Sequence, residues 1–342
     1  MQQPHMLDYN LTVDHQLPWQ VGLTLGYAGS RGYHVMQVKE GNPAVPQILS
    51  DGRKFWPSTI TRTNPNWGSI ELHTADGNSW YNALQFGLNK RLSNGMQFQS
   101  SYTFAKLMDE TQGQAGADNQ VSSVTGVDPN NRRIDSGPAD FDLRHNWQFN
   151  AIYQLPQAFK GRRALHAVLD GWRASGIMSV QSGYPFTPAL RTDRTRSGIN
   201  AGQPGAGALT FGRPNLVPGR TKEDIILSGP KRYFDTSAFT LQDAGFLGTS
   251  GRNYLTGPGY FNFDFSLGKN IPVKQLGENG ALDFRGEFFN ILNHANFAMN
   301  DTFRQVFAGS VNGEAPLPTA GVITTTGSAR SRQIQFALKL LF

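Results

Sequence analysis

The sequence predicts an all-β fold, an antiparallel transmembrane β-barrel in part, and three observations predict it. First, the segment Arg332 to Phe342 sets Ile334, Phe336, Leu338, Leu340 and Phe342 at strict period two, with Gln333, Gln335 and Lys339 between them. That is the spacing of a strand with one apolar and one polar face. Second, about nine segments of the chain alternate in this way, as strands of a barrel wall do. Third, the connections between them alternate in length. Short ones fall near 16–18, 93–95, 156–170 and 272–280, and long ones near 30–79, 107–141, 184–259 and 293–331. Short turns on one side and long loops on the other is the layout of an outer-membrane barrel.

The segments follow in order. Leu7, Tyr9, Leu11 and Val13 alternate with Asp8, Asn10, Thr12 and Asp14, and Trp19, Val21, Leu23, Leu25 and Tyr27 follow. A Gln16-Leu17-Pro18 loop would pair Val13 with Val21 and Leu11 with Leu23. Leu84, Phe86 and Leu88 precede Ser93-Asn-Gly95, and Met96, Phe98, Tyr102 and Phe104 come after it. A three-residue loop, Ser93 to Gly95, pairs Phe86 with Tyr102 and Leu84 with Phe104, so that cross-strand partners share a face. Trp147, Phe149, Ala151, Tyr153 and Leu155 form a fifth set, and Trp172, Ala174, Met178 and Val180 a sixth. Phe261, Phe263, Phe265 and Leu267 come next, then Leu282, Phe284 and Phe288, then the terminal strand.

Composition agrees. The 342 residues are 38% hydrophobic and 16% charged, with 38 Gly, 19 Pro and no Cys. No apolar run approaches the ~20 residues of a membrane-spanning helix. The net charge is +6, yet Lys and Arg are scattered, so no basic stripe for nucleic acid is expected. Without Cys there is no thiolate metal site and no disulfide framework. The seven His, at 5, 15, 34, 73, 145, 166 and 294, show no metal-ligand spacing, and His294 reads as shaping a turn. Ala28-Gly-Ser-Arg-Gly32 falls short of a nucleophile elbow. No catalytic residue, cofactor or metal is expected.

Four charged residues were candidates for a site. Asp283, Arg285 and Glu287 share one face of their strand and Asp264 the like face of another. They read either as a substrate or acid/base group or as a charge ladder on a polar lumen. The stretch Asn131 to His145, with Arg132, Arg133, Asp135, Asp140, Asp142 and Arg144, reads as a ligand-contact loop or as a self-paired salt-bridge loop. Trp19, Tyr27, Trp80, Tyr81, Tyr102, Trp147, Trp172, Tyr184 and Phe186 are expected at strand ends, as interfacial girdles.

Several blocks resemble the C-terminal barrel of TonB-dependent receptors, in particular the Oar-like receptors of acidobacteria. They include Gly26-Tyr-Ala-Gly-Ser-Arg-Gly32, Ser101-Tyr-Thr-Phe-Ala-Lys106, Phe141-Asp-Leu-Arg-His145, Ser182-Gly-Tyr-Pro-Phe186, Gly251-Arg-Asn253 and Arg285-Gly-Glu-Phe-Phe-Asn-Ile-Leu-Asn-His294. The resemblance implies a plugged transporter of roughly 22 strands. Residues 1–342 would be its C-terminal barrel part, without the plug, the TonB box or the regulatory-like N-terminal domain. It implies a place in the bacterial outer membrane, in contact with lipid, and uptake of an unidentified ligand. TonB would act only through the N-terminal part. Ile334, Phe336, Leu338, Leu340 and Phe342 would be the signal read by the barrel assembly machinery, since outer-membrane proteins end on such a strand. The alternative from another class is a secreted all-β binding or adhesion protein, whose apolar faces would pack on a second sheet.

Overall fold

A computed structural model of the chain describes residues 2–110, 126–156, 170–199, 212–273, 275, 277, 280–327 and 331–342. His166 and most of the short connection expected at 156–170 lie outside the described residues. Nine long strands form one antiparallel sheet in chain order: β1 His5–Leu17, β2 Val21–Glu40, β3 Glu71–Ser93, β4 Met96–Asp109, β5 His145–Gln154, β6 Trp172–Gln181, β7 Tyr260–Pro272, β8 Ala281–Phe289 and β9 Gln333–Leu341. Each pairs with its sequence neighbours, and the short strand Gly137–Pro138 adds to β4. The sheet is open, with β1 and β9 as its edges.

The registers keep one apolar face across the whole wall. Leu11 opposes Tyr27, Tyr27 opposes Leu84, Leu84 opposes Phe104, and Tyr102 opposes Trp147. Further along, Trp147 and Phe261 both oppose Val180, Phe265 opposes Phe288, and Phe284 opposes Leu338. The other face carries Thr12, Gly26, Gln85, Thr103 and Asn146 in successive partners. Among the described residues nothing covers the apolar face: Leu11 is 68% exposed, Leu84 54% and Phe336 70%. A sandwich would bury those side chains on a second sheet, and the described residues supply none. Gly29 stands opposite Tyr9, whose ring lies where a Cβ would be, so the aromatic residue covers the strand glycine.

The extent of this face fits a membrane. Lys90, at the lower end, donates to the Trp19 carbonyl at 2.8 Å and to Ser93 Oγ at 2.6 Å. Near the upper end, the hydroxyls of Tyr9 and Tyr27 donate to Asn82 Oδ1 at 3.0 and 2.7 Å. Lys90 and Asn82 are about eight residues apart, about 27 Å along the strand and about 20 Å along the normal at a 35–45° tilt. That is close to the ~25 Å apolar band of outer-membrane barrels.

Four expectations need correction. The first hairpin turns through Pro18–Gln20, with Trp19 and Gln20 left-handed, and pairs Val13 with Leu25 rather than Val21. The second pairs Phe86 with Tyr102 as expected, but through a two-residue turn. Asn94 and Gly95, at φ 51° and 75°, make that turn, and a register shift between Lys90 and Ser93 restores the parity. The strands β2 and β3 run far beyond the membrane band, into what was read as loop from 30 to 79. Of the girdle candidates, Tyr81 lies on the polar face and Phe186 is buried elsewhere.

The last of these points to the largest departure. The long connections are folded into a cap. Phe186, Leu190, Ile225, Phe234, Leu255, Phe303 and Val306 share one buried cluster with Tyr233, Phe239 and Phe307. Phe234 packs edge-on to Phe303 at 5.6 Å and to Phe239 at 6.2 Å. Paired short segments frame it: Pro185–Phe186 with Leu255–Thr256, Ala189–Leu190 with Gln305–Phe307, and Ile226–Gly229 with Arg232–Phe234. Replacing the fully buried Phe234 by Ala should destabilise the cap by about 3–5 kcal/mol. Hydrogen exchange should then rise across 213–256 and 297–323, while β3 to β6 stay protected; uniform exchange would show that cap and wall unfold as one unit.

Candidate functional site

The cap is tied to the wall by the stretch that followed the fourth strand in the sequence reading. Asp135 is 1% exposed and receives Arg213 Nη2 at 3.0 Å on one oxygen and the Val127 amide at 3.0 Å on the other. Arg252 donates to the Asp135 carbonyl at 2.6 Å, to the Asp109 and Gly137 carbonyls at 2.9 and 3.1 Å, and to the Asp109 carboxylate. Asn253 donates to Asp140 Oδ1 at 2.6 Å and to the Pro138 carbonyl at 2.8 Å. Arg132 pairs with Asp76 on β3. The stretch is thus paired across to β3, β4 and the cap, with Arg144 acting within it on Asp142. Burial pushes the Arg213 guanidinium down, and Asp135 pushes it back up. An arginine held this way stays charged, so the pair is a buried ionic clasp.

Below this clasp, the polar face and the same loop enclose a cleft of about 750 Å³. Tyr81, Gln85, Thr103 and Asn146 come from β3, β4 and β5, and Phe141 and Asp142 from the loop. Asp142 accepts the Leu107 amide at 2.7 Å. Burial pushes its carboxyl up, against the pull of that amide and of Arg144 and Lys106. Amide, hydroxyl and carboxyl groups beside one aromatic ring suit a small polar ligand. Sequence reading left Asp142 in a loop read either as ligand-contact or as salt-bridged, and singled out none of Gln85, Thr103 and Asn146 as site residues. Their signal was the polar alternation, with Thr103 also inside a resembling block.

Asp283, Arg285 and Glu287 stand on the polar face of β8, with Arg285 Nη1 3.5 Å from Glu287 Oε1. Lys339 of the terminal strand is the direct partner of Asp283. Asp264 stands on the polar face of β7, as expected, two residues from Ser266, the partner of Glu287. There it also accepts the Asn290 amide at 2.8 Å and Asn262 Nδ2 at 2.9 Å, which fixes the turn after β8. Asn290, not the His294 side chain, clamps that turn, with bonds of 2.9 Å to and from the His294 backbone. Ile334, Phe336, Leu338 and Leu340 share the apolar face of β9, and Phe342 follows it, 92% exposed.

In the cap, burial raises the Asp235 carboxyl, but hydrogen bonds from Arg220, Ser237 and Arg232 outweigh it and hold Asp235 far below the usual carboxylate range. A depressed folded pKa contributes stability above the unfolded value and loses it as pH falls. Exchange in 226–238 should therefore quicken below about pH 4, and Asp235→Asn should flatten that dependence; an unchanged pH profile in the variant would assign it elsewhere. Arg213→Ala strands the Asp135 charge and should cost about 3–5 kcal/mol, read as a lowered midpoint of thermal unfolding of the cap. An unaltered midpoint would remove the clasp from the stability of the fold.

Comparison with known proteins places this geometry. The family model described as "Outer membrane beta barrel domain" matches residues 1–335. Among solved structures, the outer membrane transporter YddB from Escherichia coli is similar at 10% identity and a TM-score of 0.45, over 98% of this chain and 32% of that one. This chain thus spans about a third of that protein's length. No curated protein matches the sequence.

Proposed function

The chain belongs to the outer membrane beta barrel domain family, and on that premise we propose that it is the C-terminal barrel part of an Oar-like TonB-dependent receptor that takes up an unidentified ligand. Its place is the bacterial outer membrane, with the apolar face against lipid. The pair of open edges supports the partial barrel, and the blocks that resemble Oar-like receptors support the receptor type. The strands alternate in direction, so β1 and β9 run the same way. Joining them directly would make a parallel contact, and antiparallel closure takes an odd number of further strands. An unpaired edge cannot stand in hydrocarbon, where no water satisfies its amides.

Within such a receptor, residues 1–342 supply the wall, the cap and the polar cleft. The plug and the TonB box belong to the N-terminal part, through which TonB acts. The cleft around Tyr81, Gln85, Asp142 and Asn146 holds the ligand against the wall by hydrogen bonds, while the cap stands above it. Asp283, Arg285, Glu287 and Lys339 form a lumen ladder that keeps the interior wet and polar. The role is non-enzymatic, with no cofactor and no nucleic acid involved. β9 is the strand on which assembly machinery acts, through Ile334, Phe336, Leu338, Leu340 and Phe342.

Two measurements test this. The reading frame upstream of residue 1 should encode further strands and a plug; an independent promoter and start directly before it would overturn the receptor assignment. Removing Phe342 from the full-length protein should lower the heat-modifiable, membrane-assembled fraction several-fold. An undiminished fraction would withdraw the assembly role of that residue while leaving the receptor reading to the first test.

A further inference from the structure

The outward side carries a second cleft, of about 540 Å³, at the upper limit of the apolar band. Lys106 and Met108, on the apolar face of β4, form its floor, Arg144 flanks it, and Lys222 and Tyr254 of the cap close it from above. Lys106 is the direct partner of Asn82, the residue that receives the Tyr9 and Tyr27 hydroxyls. That row lies about 20 Å above Lys90, so Lys106 sits at the height of lipid headgroups. The Arg144 guanidinium lies 4.6 Å from the centre of the Phe104 ring, and its Nη1 reaches the Ala105 carbonyl at 3.4 Å. Among the described residues, Lys106, Arg144 and Lys222 form no ion pair.

The acids in the same lining are Glu223 and Asp142. Asp142 is turned to the Leu107 amide, and the Glu223 side chain makes no bond to any of the three cations. One row higher on the same face, Arg31 lies between the rings of Tyr33 and Trp80, 5.0 and 5.2 Å from their centres, with its Nε unpaired. Aromatic support keeps Arg31 and Arg144 extended along the wall at interfacial depth. Three cations that form no ion pair stand around one cleft, with Asp142 as the acid that Arg144 and Lys106 attract. They match an anionic oxyanion, with Arg giving a planar fork and Lys two point charges. The Phe104 ring continues the apolar surface one row below Lys106, where acyl chains begin, and Met108 stands one row above it.

We propose that this cleft binds the phosphate of a lipid headgroup in the outer leaflet and so anchors the cap to the membrane surface. The same cations would also accept free phosphate, and the lipid source is favoured because the cleft opens on the lipid-facing side of the wall. The inference needs only the membrane placement of the wall and is independent of TonB.

Native mass spectrometry of the intact, membrane-extracted protein tests it, with phosphatidic acid, diacylglycerol or inorganic phosphate added. The wild type should retain phosphatidic acid and not diacylglycerol. Retention should fall about fivefold for each of Lys106→Gln, Arg144→Gln and Lys222→Gln, and remain unchanged for Lys339→Gln on the inner face. Lys222 belongs to the cap, so its variant reads out the site even where changes at the wall hinder assembly. Equal retention by the wild type and the Lys222 variant would overturn the site. Displacement of phosphatidic acid by equimolar inorganic phosphate would overturn the lipid source and leave a free-phosphate site.

Discussion

Everything in this structure depends on the parity of the strand registers. In hydrocarbon every backbone amide and carbonyl must find a partner within the protein, so a wall has to be continuously laddered. A strand also has a side-chain period of two, so a slip of one residue would turn its whole apolar set into the lumen. The ladders obey both demands from β1 to β9. The register shifts in the long strands fall outside the band: those between β2 and β3 at Tyr33 to Met36 lie above it, and that between β3 and β4 at Lys90 to Ser93 lies below. Irregular pairing is confined to depths where water can satisfy what the ladder leaves open.

Above the band the constraint changes. Once strands leave lipid, alternation is no longer imposed from outside, and stability has to come from a core of the usual kind. The cap supplies it with Phe234, Phe303, Leu190 and Ile225, drawn from segments more than a hundred residues apart in sequence. A core assembled from such distant pieces is joined to the wall by Arg213, Arg252 and Asn253, all buried and all hydrogen-bonded to the segment from 126 to 142. Breaking one partner of such a pair leaves a charge in a dry place, which makes the junction stiff.

This division also explains how legible each part was. Within the band, the period-two pattern carried strand existence, face and even the Phe86–Tyr102 pairing, because lipid on one side writes itself into alternate residues. The upper parts of β2 and β3 were read as loop because the stretch between them is rich in Pro, Gly, Asn, Thr and Ser; Gln37, Lys39, Thr74 and Asp76 share one face there and bond to one another. The first hairpin register was missed because Trp19 and Gln20 adopt left-handed backbone without the Gly or Asn that announces such a turn. Cap residues have no period at all, so Phe186 looked like girdle while it is core. Arg252 was quoted as part of a resemblance and Arg213 was not singled out, and their partners at Asp109 and Asp135 could only be found in three dimensions. The same holds for Asp264, whose polar face was legible while its bond to the Asn290 amide was not.

The segment from 126 to 144 links these parts. Asp135 and Asp140 bind it to the cap, and Asp142 binds it to the backbone of β4 and lines the polar cleft. Arg144 crosses to the opposite side, over Phe104 at the lipid face. One short stretch therefore touches the lumen, the lipid-facing side and the buried Arg213–Asp135 clasp. It cannot shift toward the lumen without breaking bonds to Arg213 and Asn253, each made in a buried setting where the loss is largest. The groups that face the polar cleft are consequently held in place before any ligand arrives, which is the condition under which a few hydrogen bonds can discriminate between small polar molecules.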